Sequence, residues 1–251
     1  MWWWFACTRP DLDVRAWPPT GTHTGAGGPS DETGALDSGA LDTAGLGGPC
    51  PPDMVFTSGV CIDRYEASLD GGSPYEVPDA PLPAVNEDGA VPQGYVSALV
   101  AADACALAGK RLCTSDEWLA ACRGPEERVY PYGDTYEPGA CNDTRDVHPV
   151  IELFGTDAAF DPAEMNDPRL NQLDDSLAAS GDFAACATPD GVFDLHGNLH
   201  EWVADADGTF RGGFYVDAAI NGPGCTYATT AHDPAYHDYS TGFRCCADPA
   251  R

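Results

Sequence analysis

Lysine is almost missing from this chain. Of 251 residues, 12 are Lys or Arg against 40 Asp or Glu, and Lys110 is the single lysine. The formal charge of -28 argues against nucleic-acid backbones and anionic membrane surfaces as partners, since neither is attracted to so negative a surface. No apolar run approaches the roughly 18 residues that cross a bilayer, so no transmembrane helix is expected. Cys-x-x-Cys is absent too, which removes the thioredoxin-like and zinc-ribbon readings.

Cysteine itself is plentiful. There are 11, and all but Cys7 lie between Cys50 and Cys246. An even set in one domain is rare where thiols are kept reduced, so the expectation is five disulfides in an extracytoplasmic protein. Cys7 follows Trp2, Trp3, Trp4, Phe5 and Ala6, an apolar stretch too short for a full signal-peptide core. Its Phe-Ala-Cys ending resembles the tail of a bacterial lipoprotein signal. Residues 1–17 are therefore expected to be a leader remnant with Cys7 lipidated. The chain is thus expected to be a bacterial cell-envelope lipoprotein or a secreted protein.

Residues 18–49 are almost wholly Gly, Thr, Ser, Asp, Ala and Pro. They cannot bury enough apolar surface to offset the entropy of ordering, and are expected to form a disordered low-complexity linker. The folded domain is expected over 50–251. Residues 1–49 hold 6 acidic and 2 basic groups, which leaves 34 and 10 for the domain and a net charge of -24. The acidity belongs to the domain, as a solvated face.

Two helices can be placed. Ser97 caps a run from Ala98 to Ala108 that Gly109 ends. Thr114 with Glu117 three residues on is a capping box, with Trp118 and Cys122 facing the core and Gly124 closing the element. Val55–Glu66, Phe210–Val216 and Thr241–Cys245 suggest strands, and 129–191 has no long periodic segment. The expected class is α+β with two helices, small mixed or antiparallel sheets and much irregular backbone, held by disulfides.

Six segments in order are similar to one family: CIDRYEAS (61–68), GKRLCTSDEWLAACRG (109–124), YPYGD (130–134), DLHGNLHEWVAD (194–205), RGG (211–213) and GFRCC (242–246). On these the chain resembles the formylglycine-generating enzyme (sulfatase-modifying factor) family. The resemblance implies a variant of the C-type-lectin-like fold. Members include copper-dependent oxidases that convert a sulfatase cysteine to formylglycine, and related domains of non-heme-iron sulfoxide synthases. The oxidase needs a copper-binding cysteine pair shortly after Arg-Gly-Gly. Here Asp217 and Gly222 stand at those positions, Phe214 replaces the expected serine, and His200 replaces the first tryptophan of the Gly-Asn-x-Trp-Glu-Trp motif. Cu(I) favours thiolates, and a carboxylate with a glycine cannot reproduce such a site.

The resemblance also implies the bridges Cys105–Cys245 and Cys122–Cys225. The other six could pair as Cys113–Cys246, Cys141–Cys186 and Cys50–Cys61, although sequence alone leaves connectivity open. It implies structural calcium at Asp194, Gly197, Leu199 and Glu201, where oxygen donors in an irregular loop suit the ion. Asn142 and Asp143 resemble part of a second calcium site. Arg211 and Arg244 are expected to pair with carboxylates such as Glu117 or Glu201. Trp118 and Trp202 read as core aromatics.

The leading expectation is a non-catalytic binding or structural module, with an unidentified protein or small-molecule ligand. The alternative is a metal-dependent oxidoreductase of the formylglycine-generating or non-heme-iron type, acting on a thiol or small molecule. Its candidates are Asp217, His200 and His232, which with His196, Glu201, Asp233 and His237 could converge on iron or zinc. A transition metal is not the expected outcome.

Overall fold

Serine 97 and threonine 114 start the two longest helices as their side chains predict. In the computed structural model, which describes residues 48–230 and 232–250, Ser97 accepts from the Val100 N–H and α1 runs over Ala98–Leu107. Thr114 and Glu117 form the reciprocal capping box of α2, Ser115–Arg123, which Gly124 ends at a positive φ. The expected leader, Cys7 and all but the last two residues of the expected linker lie outside the described residues.

The two-helix expectation is corrected: four α-helices are present among the described residues. The additional ones are α3, Pro149–Phe154, and α4, Pro162–Met165. Both are too short to show a periodicity. Their signals are purely terminal, a proline in the first turn preceded by His148 or Asp161, whose side chains accept from the first free N–H groups. The lectin-like expectation is corrected with it. The elements instead make an α+β arrangement of these four helices with three separate sheets.

The first sheet runs in the order β1 (Met54–Thr57), β2 (Val60–Asp63), β10 (Cys245–Ala247), β5 (Arg111–Leu112), all antiparallel. The sequence reading of one strand over Val55–Glu66 is thereby divided into a hairpin. Ser58 and Gly59 both take positive φ and reverse the chain in two residues. The second sheet pairs β3 (Ser68–Leu69) with β4 (Ala84–Val85). The third runs β8 (Ala228–Thr229), β7 (Phe210–Arg211), β6 (His200–Trp202), β9 (Thr241–Phe243), with β6 and β9 parallel. Single 3-10 turns lie at Leu170–Gln172 and Gly224–Thr226.

Five disulfides join these pieces: Cys50–Cys61, Cys105–Cys245, Cys113–Cys246, Cys122–Cys225 and Cys141–Cys186. Strand β10 alternates, so its adjacent cysteines enter opposite cores. Cys245 packs with Trp202, Phe210, Phe243 and the buried face of α1. Cys246 packs with Ile62, Trp118, Cys122 and Val203. A third cluster gathers Tyr95, Tyr215 and Tyr239 around Val150 and Leu170. No helix among the described residues is long and apolar enough to cross a membrane.

Candidate functional site

A buried polar core lies where β6, α2 and the β9–β10 turn meet. Glu201 on β6 accepts from Arg244 Nε at 2.6 Å and Nη2 at 2.5 Å, and from the Trp118 indole N–H at 2.6 Å. Both partners of this ion pair are essentially inaccessible to solvent, at 0% and 1% side-chain exposure. Arg244 also donates to the Asp63 and Phe193 carbonyls. Such a buried pair is tolerable only because the remaining donors and acceptors are met.

The loop before β6 supplies the rest. Asp194, Gly197 and Asn198 all take positive φ, which folds the chain into a tight pocket of backbone. A Cβ at Gly197 would come 2.2 Å from the Asn142 carbonyl oxygen, so only glycine fits there. Asn198 donates its amide to Glu66 at 2.5 Å and accepts from Asn142 and from the Ala178 N–H. Glu66 accepts from the Leu199 N–H, and Asp194 accepts from the Gly181 N–H.

Three buried carboxylates, Glu66, Asp194 and Glu201, thus share one buried cation, Arg244. Burial pushes Asp194 up to about 7, with Glu201 adding to the shift against the Gly181 N–H and Arg244. Glu66 is raised well above the carboxylate range, first by burial and then by Asp194 and Glu201. Nothing in the sequence marks Glu66 for this role. It lies within the CIDRYEAS block, but its partner Asn198 is 132 residues away, and no local spacing signals that contact.

The remaining candidates lie outside this polar core. His196 Nε2 lies 3.1 Å from Asp143 Oδ2, beside Tyr130. His200 is enclosed by the rings of Phe210, Phe214 and Tyr227, and its Nδ1 has no partner. Burial pulls its imidazole down to about 3, with His232 adding to the shift. His232 stacks on Tyr236 at 3.8 Å and on Phe210, the ring that also packs on His200. Asp217 accepts from the Ala219 and Ile220 N–H groups and from the Tyr227 hydroxyl. His237 contacts Asn166. Asp217, His200 and His232 thus meet through shared aromatic rings, Tyr227 between the first two and Phe210 between the last two, and not through a common polar centre. Among the described residues no group of three or more His, Cys, Asp or Glu side chains is placed to hold a metal ion.

Of the arginines, Arg244 meets Glu201 as the sequence leads one to expect. Arg211 donates instead to Ser115 Oγ at 2.8 Å, while Glu117 is taken by Arg111. Trp118 and Trp202 are fully buried.

The profile of the sulfatase-modifying factor enzyme 1-like domain matches residues 61–249. The chain belongs to this family. A relative named inactive C-alpha-formylglycine-generating enzyme 2, from Bos taurus, is 28% identical over 185 residues, covering 69% of this chain. The chain spans 56% of that relative's length. Among solved structures, PvdO from Pseudomonas aeruginosa aligns with a TM-score of 0.49 at 16% identity, over 75% of this chain and 80% of that one. CarF aligns at 0.45 and 16% identity, over 76% and 87%.

The family resemblance implies calcium at Asp194, Gly197, Leu199 and Glu201. The donors are hard oxygens, the right type for that ion. The arrangement does not fit it, because Arg244 and Trp118 already engage both oxygens of Glu201, and a cation there would face the guanidinium. Asn142 contributes its amide to Ser176 and Asn198, and its carbonyl accepts from the Asn198 N–H.

Proposed function

We propose that this domain is a non-catalytic binding or structural module of the sulfatase-modifying factor family, working outside the cytoplasm. The observation that carries the reading is the state of the sulfurs. All ten cysteines from Cys50 to Cys246 are spent in disulfides, so no thiolate pair remains to bind copper or engage a substrate thiol. The two positions where the family's oxidases hold those thiols are Asp217, which caps a turn, and Gly222. The name of the bovine relative, which calls that protein inactive, agrees with this reading. So many bridges in one domain support an oxidising compartment.

The test is alkylation of the unreduced, denatured protein followed by peptide mapping, together with metal analysis. It is joined to incubation of a sulfatase-derived cysteine peptide with the protein, copper and oxygen. The expected result is no alkylation at any cysteine from Cys50 to Cys246, no stoichiometric copper or iron, and no aldehyde in the peptide. Two alkylated cysteines with peptide oxidation would restore the formylglycine-generating activity. Stoichiometric iron with turnover of a thiol would favour the oxidoreductase alternative instead.

A further inference from the structure

The chain's single lysine sits in a cluster that the site above does not use. Asp63 ends β2 and Lys110 immediately precedes β5, and these strands flank β10 on either side. Lys110 Nζ lies 2.7 Å from Asp63 Oδ1 and also donates to Asp53 Oδ2. Asn86 Nδ2 donates to the same two oxygens, at 3.0 Å and 2.9 Å. Asp63 Oδ2 accepts from the Cys245 N–H at 2.9 Å. The Asp63 side chain is fully buried, that of Lys110 is 7% exposed, and Asn86 is buried with Oδ1 lacking any partner.

We propose that this cluster closes an intramolecular isopeptide bond between Lys110 Nζ and Asp63 Cγ. The attacked carbon is one bond from an oxygen that Nζ already touches, so the approach is set by the fold and not by collision. The unreacted state is the ion pair. Burial pulls Lys110 down, but Asp63 and Asp53 outweigh that pull and hold it above its ordinary value. Asp63 is pushed up to about 6 by burial, against the opposing charge of Lys110. The reaction therefore needs a proton carrier, and Asp53, in contact with Nζ and half-exposed, is placed to be one.

The atoms balance without any redox partner. One ammonium proton passes through Asp53 to Asp63 Oδ1, leaving a neutral amine and a neutral acid. The amine attacks Cγ, and charge gathers on Oδ2, where the Cys245 N–H stabilises it. A second proton moves from nitrogen to Oδ1, the Cγ–Oδ1 bond breaks and water leaves. The third proton remains on the amide nitrogen, and Asp53 ends ionised as it began. The product would clasp β2 to β5 across the strand that carries Cys245 and Cys246.

Intact mass of the full chain, reduced, alkylated and denatured, tests this. The expected mass is one water below that of the sequence with every cysteine alkylated, and a digest yields one peptide in which the Asp63 and Lys110 segments are joined. Lys110→Arg is expected to restore the missing water. Asp53→Asn is expected to form all five disulfides yet keep the full mass, with Lys110 open to an amine-reactive reagent after denaturation. A wild-type chain of full mass overturns the proposal and leaves an ordinary ion pair. Loss of water without the joined peptide, as from a succinimide at an Asp-Gly sequence, overturns it equally. An Asp53→Asn chain still one water light overturns the role of Asp53.

Discussion

Arg244 is the residue on which the polar core depends. It is the one buried cation facing Glu66, Asp194 and Glu201, and it also ties down two carbonyls. Arg244→Met should cost about 3–5 kcal/mol of stability, because it leaves a buried carboxylate without its partner. Glu201→Gln in the same chain should recover part of that loss. Denaturant midpoints of the single and double variants measure both, and a single-variant loss below about 1 kcal/mol would mean that the pair is not what holds this region. His200 presents the opposite case, a buried imidazole whose Nδ1 meets nothing. His200→Phe should stabilise the fold by on the order of 1 kcal/mol, seen as a higher melting temperature, since an unsatisfied nitrogen is replaced by ring surface among Phe210, Phe214 and Tyr227. An unchanged or lower midpoint would show that the aromatic cage is too tight for the larger ring.

The helices show how far local sequence reaches. Both longer ones could be read because their caps are neighbours in the chain: Ser97 with Val100, and Thr114 with Glu117. The short ones escaped because four or six residues cannot display a 3.6-residue period. Strand β1 merged with β2 for a related reason, since Ser58–Gly59 offers only two residues of turn signal between two apolar runs. The candidate site was legible in part. Glu201 and Arg244 sit in motifs that suggested an ion pair, whereas the contacts of Glu66, Asn198 and Asn142 depend on loops whose path no periodicity encodes. Helix α3 carries its own test. His148 caps it through Nδ1, which accepts from the Val150 N–H, and its Nε2 meets the Tyr239 hydroxyl. Burial, aided by Arg145, lowers this imidazole to about 4. The folded state therefore holds fewer protons than the unfolded one between pH 6.5 and about 4, and His148 stabilisation is lost as pH falls through that window. His148→Asn keeps a capping acceptor that does not titrate, so the melting temperature of that variant should fall less over the same window. Equal pH dependence of the two proteins would remove His148 as the cause.

For the whole molecule the dominant fact is charge. Arg111, Arg123, Arg128, Arg145, Arg169, Arg244 and Lys110 are all engaged by carboxylates of the domain itself. The surplus of acids is left to repel itself across the surface. Added salt screens that repulsion, so the melting temperature should rise by about 5 °C between 0.01 M and 1 M sodium chloride. A flat or falling curve would mean that the internal pairs, which salt weakens, matter more than the surplus. The dipeptide Cys245–Cys246 adds a constraint of another kind. Its two sulfurs leave one strand on opposite sides, one towards the helix bearing Cys105 and one towards Cys113. A one-residue slip of that strand would turn each sulfur to the opposite face, away from its own mate. Closing both bonds therefore fixes that strand lengthwise, so the pair acts as a register lock as well as a staple.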